Sequence, residues 1–166
     1  MKLFLIAVYI SFSMPFVWAQ EIDADYQKMI ERKYNFPTIS PDSLEIALER
    51  SNFVVLDTRE EEEYSVSHIP GALYFGYQDP NYELLNNIDT TQTLIVYCSI
   101  GVRSENIGKA LKKRGFNNVY NLYGGIFLWA DQFRMMEKEN GIKTEKVHGY
   151  NKYWGRWIKK ATVVYE

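Results

Sequence analysis

The chain has 166 residues, 46% of them hydrophobic and 24% charged, with a formal net charge of −2. That size and balance allow one hydrophobic core with extensions, and the slight acidity gives no footing for nucleic-acid binding. With 1 Cys and 2 His, the chain lacks both an intramolecular disulfide and the Cys/His ligand set of a structural zinc site.

Residues 1–19 read as a secretory signal: Lys2 in the n-region, an apolar stretch from Leu3 to Val17 broken by Ser11, Ser13 and Pro15, and small residues at Val17 and Ala19 for cleavage after Ala19. A membrane anchor needs about 20 apolar residues, so the expectation is export to the periplasm or beyond, with no stable membrane span after cleavage. Gln20 follows the cleavage point, where a bacterial lipoprotein would need cysteine. Residues 20–39 form an N-terminal extension in which Ile22, Tyr26, Met29 and Ile30 fall at the spacing of an amphipathic helix. Ser40 then caps a second helix, with Pro41 at its first position and Leu44, Ala47 and Leu48 on one face.

The run 53–57 is a short buried strand ending in an acid, 60–64 a brief acidic helix, and 68–72 (His-Ile-Pro-Gly-Ala) a rigid turn into a short strand at 72–74. A short helix at 81–87 precedes the apolar strand 93–97. Val102, Ile107, Ala110 and Leu111 mark the next helix; Glu105 lies in its first turn, Lys112, Lys113 and Arg114 in its last, and Gly115 stops it. A strand at 118–122, a glycine turn at 124–125 and a helix over 126–136, with Phe127, Trp129, Ala130 and Phe133 available for packing, complete the alternation. It predicts an α/β fold with a central, mostly parallel sheet flanked by helices on both faces and joined by right-handed crossovers. Residues 137–166 form an aromatic and basic extension.

Cys98 stands where a strand hands over to a helix, so it faces the unpaired N–H groups of a helix N-terminus. Gly101 lets the loop curl so that successive amides point inward as an anion nest, and Arg103 adds a permanent positive charge. Thiols so placed ionise in the range of roughly 3.5 to 7.5, which predicts a thiolate at neutral pH; the alternative is an inert buried cysteine. Asp57, Cys98 and the glycine turn all follow predicted strand ends, the edge at which open α/β sheets bind ligands.

Three blocks in order carry a resemblance: Leu56-Asp57-Thr58-Arg59-Glu60 with Tyr64 and residues 68–72; Ile95-Val96-Tyr97-Cys98 through Gly101, Arg103 and Ser104; and Leu122-Tyr123-Gly124-Gly125-Ile126 with Trp129. Together they resemble the rhodanese-like family, over residues 40–136. The resemblance implies a sulfurtransferase in which Cys98 takes a sulfane sulfur from a donor, thiosulfate or an organic or protein persulfide, and passes it to a thiol or cyanide. It implies that Ser99, Ile100, Gly101, Val102 and Arg103 cradle the outer sulfur, and that Asp57, Arg59 and Ser104 support the site, without metal or organic cofactor. Related phosphatases resemble this layout with a loop one residue longer; here four residues separate Cys98 from Arg103, which suits a sulfur atom better than a phosphoryl group.

Asp57 and Arg59 read better as scaffold than as catalysts, and His68 as a turn-fixing residue, because an ionised thiolate needs no base. Arg103 reads as acting on thiolate and donor, its alternative being a salt bridge to an acidic neighbour. The loop has no second cation, which weakens the case for thiosulfate, and Ile100 suits a protein or organic persulfide. Tyr150, Tyr153, Trp154, Trp157 and Tyr165 lie among cations in the last stretch, which is either a flap packed on the domain or a docking surface for an exported protein or anionic lipid. Two rival functions stay open: a binding module in which Cys98 is incidental, and a redox thiol that forms a sulfenate or mixed disulfide.

Overall fold

The computed structural model describes residues 22–50, 53–132 and 134–166; the leader and Phe133 lie outside them. A five-stranded sheet runs in the order β1 (Thr38–Ile39), β5 (Val119–Leu122), β4 (Thr93–Tyr97), β2 (Phe53–Asp57) and β3 (Leu73–Tyr74), with all four pairings parallel. The continuous apolar runs of β2 and β4 are covered on both faces, as buried parallel strands require. Along β4, Ile95 and Tyr97 enter one apolar cluster and Leu94 and Val96 the other. The first cluster takes Tyr26 and Ile30 from α1 (Ala24–Glu31), Leu44 from α2 (Pro41–Leu48) and residues 126–130 of α5 (Gly125–Asp131). The second takes Leu85 from a 3-10 turn (Tyr82–Asn87) and Ile107 and Leu111 from α4 (Val102–Lys113).

Local chemistry starts α2 where the sequence predicts and sets the start of α1 at Ala24. Asp23 accepts from the amides of Asp25 and Tyr26 ahead of α1, and the Ser40 hydroxyl accepts from Ser43 N ahead of α2. The acidic helix α3 (Glu61–Val66) opens with a capping box between Glu60 and Glu63.

Three elements depart from expectation. Thr38 and Ile39 belong to the sheet, paired with Asn121 and Leu122; two residues carry no periodicity to read. Helix α5 ends at Asp131, short of the expected 136, and Met136 opens β6 (Met136–Lys138). The Trp129 indole N–H donates to Met135 C=O, and Arg134 forms ion pairs with Asp42 and Glu45, so tertiary partners turn the chain. The last stretch has regular structure that its composition hid: β7 (Ile142–Thr144) pairs antiparallel with β6, and β8 (Lys146–His148) pairs parallel with β9 (Thr162–Val164) around α6 (Lys152–Gly155).

This stretch folds back on the domain. Val147 and Ile158 are buried in the cluster that holds Tyr26 and Ile30, and Tyr26 stacks on Trp157 at 5.5 Å. The Asp131 carboxylate accepts from the amides of Lys159, Lys160 and Ala161. Tail and N-terminal helix thus share one core.

Candidate active site

The loop between β4 and α4 is held by its carbonyls. Cys98 C=O accepts from Ile126 N at 3.0 Å and Ser99 C=O from Phe127 N at 3.1 Å, both amides at the start of α5. Ile100 C=O accepts from the Tyr34 hydroxyl, and Gly101 C=O accepts from Asn121 Nδ2 at 2.8 Å and from Glu105 N at 3.2 Å. Because a trans peptide points its C=O and the following N–H in opposite directions, four carbonyls drawn outward turn the next four amides to the other side. The Gly101 amide completes this geometry by donating to Cys98 Sγ at 3.1 Å. The pinned backbone thereby presents the Gly101 amide to the sulfur.

Two glycines make the pinning possible. Gly101 has φ +92°, and a Cβ there would lie 1.8 Å from the Tyr34 hydroxyl; a Cβ on Gly125 would lie 2.4 Å from Cys98 O. Tyr34 also accepts from Gly124 N at 3.1 Å, so its hydroxyl ties the loop to the glycine turn. Burial, followed by the neighbouring Cys98 sulfur, pushes its ionisation well above the phenol range, and it stays a donor. Asn121 is held in turn by Ser104, whose hydroxyl donates to Oδ1 at 2.8 Å.

Cys98 is 1% exposed, yet with Ser99, Ile100, Val102 and Arg103 it lines a pocket of about 160 Å³ whose remaining lining comes from Lys33, Tyr150 and Trp154. Arg103 is paired: it donates to both Glu63 oxygens at 2.7 and 2.8 Å and to Ser99 Oγ at 2.9 Å, and its guanidinium lies 4.9 Å from the Tyr150 ring centre. Burial alone would raise the Glu63 carboxyl, but the hydrogen bonds and charge of Arg103, aided by Arg59 and Ser99, hold it below the usual value. Burial opposes the charge on Arg103, and Glu63 overrides it and raises its pKa.

Residues 40–132 match the rhodanese-like domain, more than half of the chain. The chain belongs to the rhodanese-like family. It is 32% identical to the thiosulfate sulfurtransferase GlpE of Actinobacillus succinogenes over 108 residues, 65% of this chain and 96% of that one. It is 36% identical to a tRNA uridine(34) hydroxylase of Staphylococcus epidermidis over 92 residues, 52% of this chain but 29% of the other. In fold it is similar to the rhodanese-like domain of an Anabaena protein, with TM-score 0.57 and 24% identity, covering 61% of this chain and 79% of that one.

In this rhodanese-like domain the supporting residues are placed differently from the loop. Asp57 and Arg59 are fully buried and bonded to each other: Arg59 Nε donates to both Asp57 oxygens and Nη2 donates to Oδ2 at 2.6 Å. Tyr97 donates to Asp57 Oδ2 at 2.7 Å and accepts from Ile69 N, which fixes the turn at residues 68–72. His68 stacks on Tyr64 at 4.0 Å and bonds Glu137 through its backbone in both directions, so its ring lies away from the sulfur's pocket. Neither Asp57 nor Arg59 lines that pocket.

Sequence reading missed Glu63, Tyr34, Asn121 and Lys33. Asn121 left a signal, a buried amide within an otherwise apolar strand, which must be bonded to something. Tyr150 and Trp154 stood out as tail aromatics, and the structure sets them against the loop. Among the described residues no group of His, Cys, Asp and Glu is arranged to hold a metal ion, and no helix is long and apolar enough to cross a membrane.

Proposed function

We propose that the protein is a rhodanese-type sulfurtransferase that carries sulfane sulfur as a persulfide on Cys98. The loop carbonyls tied outward, with the Gly101 amide donating to Sγ, carry this reading. Such donors favour a thiolate, and they favour the negative outer sulfur of a persulfide for the same reason. In loading, Sγ attacks the sulfane sulfur, a new S–S bond forms, and the donor's remainder leaves with the bonding pair. Discharge repeats the displacement, with a thiolate or cyanide as the attacking group and Sγ as the leaving group. The similarity to thiosulfate sulfurtransferases supports this chemistry.

Incubation with a sulfane donor followed by intact mass spectrometry tests the proposal. One added sulfur that cyanide removes, and that Cys98→Ser abolishes, is the expected result. No gain points to a binding module, and gain of oxygen on peroxide points to a redox thiol. The leader adds a proposal of export, which N-terminal sequencing of the mature protein checks by finding Gln20 first.

A further inference from the structure

Arg103 is the cation that the loop itself supplies, but Glu63 already takes both faces of its fork. The other cation lining the pocket, Lys33, comes from the N-terminal segment, exposed and 5.8 Å over the Trp154 ring. Among the described residues no carboxylate forms an ion pair with Lys33. An anion entering the pocket therefore meets an uncompensated ammonium at Lys33 and a neutralised guanidinium at Arg103.

The rest of the mouth is apolar and aromatic, from Ile100, Val102, Tyr150 and Trp154. This lining matches a carbon body better than a small, strongly hydrated inorganic dianion such as thiosulfate. Its volume of about 160 Å³, roughly that of five waters at ~30 Å³ each, matches a body of amino-acid size. Lys33, Tyr150 and Trp154 all lie outside residues 40–132, so these lining residues belong to the extensions.

We propose that the sulfur donor is a small organic persulfide bearing a carboxylate, of amino-acid size, with its carboxylate at the Lys33 ammonium and its carbon body between Tyr150 and Trp154. This rests on the sulfurtransferase reading and names the donor for that site. The Cys98 thiolate attacks the outer sulfur of R–S–S⁻, the Sγ–S bond forms, the inner S–S bond breaks, and R–S⁻ leaves with the electron pair. Two negative charges at sulfur enter and two remain, so no proton, oxidant or reductant is required.

The test follows sulfur gain at Cys98 by rapid-quench mass spectrometry, using the full chain with cysteine persulfide, glutathione persulfide and thiosulfate across a concentration range. Cysteine persulfide should load most efficiently. Lys33→Gln should raise its half-saturating concentration about tenfold, the loss expected for one charge-assisted hydrogen bond, with the limiting rate nearly kept; Lys33→Arg should restore binding. Tyr150→Asn removes the ring while keeping a residue that tolerates the φ of +62° found there, and should erase the preference over thiosulfate. If all three donors load the parent chain but the Lys33 and Tyr150 variants behave like it, the donor assignment fails and sulfur transfer survives. If no donor adds sulfur, both fall.

Discussion

Arg59 and Arg103 each hold a carboxylate, one in a pair sealed from solvent and the other at the wall of the pocket. Asp57 and Arg59 bond each other, Tyr97 and the Ser67 carbonyl, so their charges serve the joint between β2, β4 and the turn at residues 68–72. Glu63 and Arg103 bond Ser99 of the active loop and reach Tyr150 of the tail. An arginine in a motif is thus not automatically a charge offered to substrate. What it does depends on the acid that chain folding brings to it.

The sharpest way to break this contrast is to remove each arginine alone. Arg59→Met strands Asp57 in the interior and should cost about 3–5 kcal/mol in urea unfolding. Arg103 is part-exposed where Arg59 is sealed, so Arg103→Met lets water reach the buried Glu63 carboxylate and should cost less, about 1–3 kcal/mol, while slowing sulfur gain at Cys98 in the mass assay. Equal stability losses would mean that the two pairs do the same work.

Tyr34→Phe comes next in size. It removes the donor for Ile100 C=O and the acceptor for Gly124 N–H, which should cost about 1–3 kcal/mol, read by thermal unfolding. It should also slow loading, because the freed carbonyl can turn back toward the sulfur. Unchanged loading with lowered stability would show that the loop holds its shape without Tyr34.

Acid titration sharpens the contrast further. Glu63 titrates below its ordinary value of 4.5 in the folded chain, so its bridge stabilises the fold above the unfolded value and is lost as pH falls through the folded one. In Glu63→Gln, the part of the acid unfolding curve that belongs to this window should flatten. A curve parallel to the parent's below about pH 4.5 would assign acid lability elsewhere.

The central strands were legible because parallel strands buried on both faces read as unbroken apolar runs, as in residues 53–57 and 93–97. Helix α4 was legible from its dipole-matched ends. The shape of the Cys98 loop was legible because it is local: Cys98, Gly101 and Arg103 lie within one turn of chain. Tyr34, Glu63 and Asn121 were not, since each meets the loop from 20 or more positions away and only the sheet order makes them neighbours. Lys33 escaped for the same reason, while Tyr150 stood out among the tail aromatics but only the fold sets it against the loop. The early end of α5 escaped because Trp129, Asp131 and Arg134 find partners that periodicity does not encode.

Tyr150 holds a left-handed backbone with φ +62° and is 47% exposed. For a bulky L-residue that conformation costs roughly 1 kcal/mol, so Tyr150→Gly should melt at or above the parent's temperature despite losing a large side chain. A phenol at 150 thus stands on strained backbone beside the Arg103 guanidinium, so rigidity of the fold and presentation of that ring pull in opposite directions.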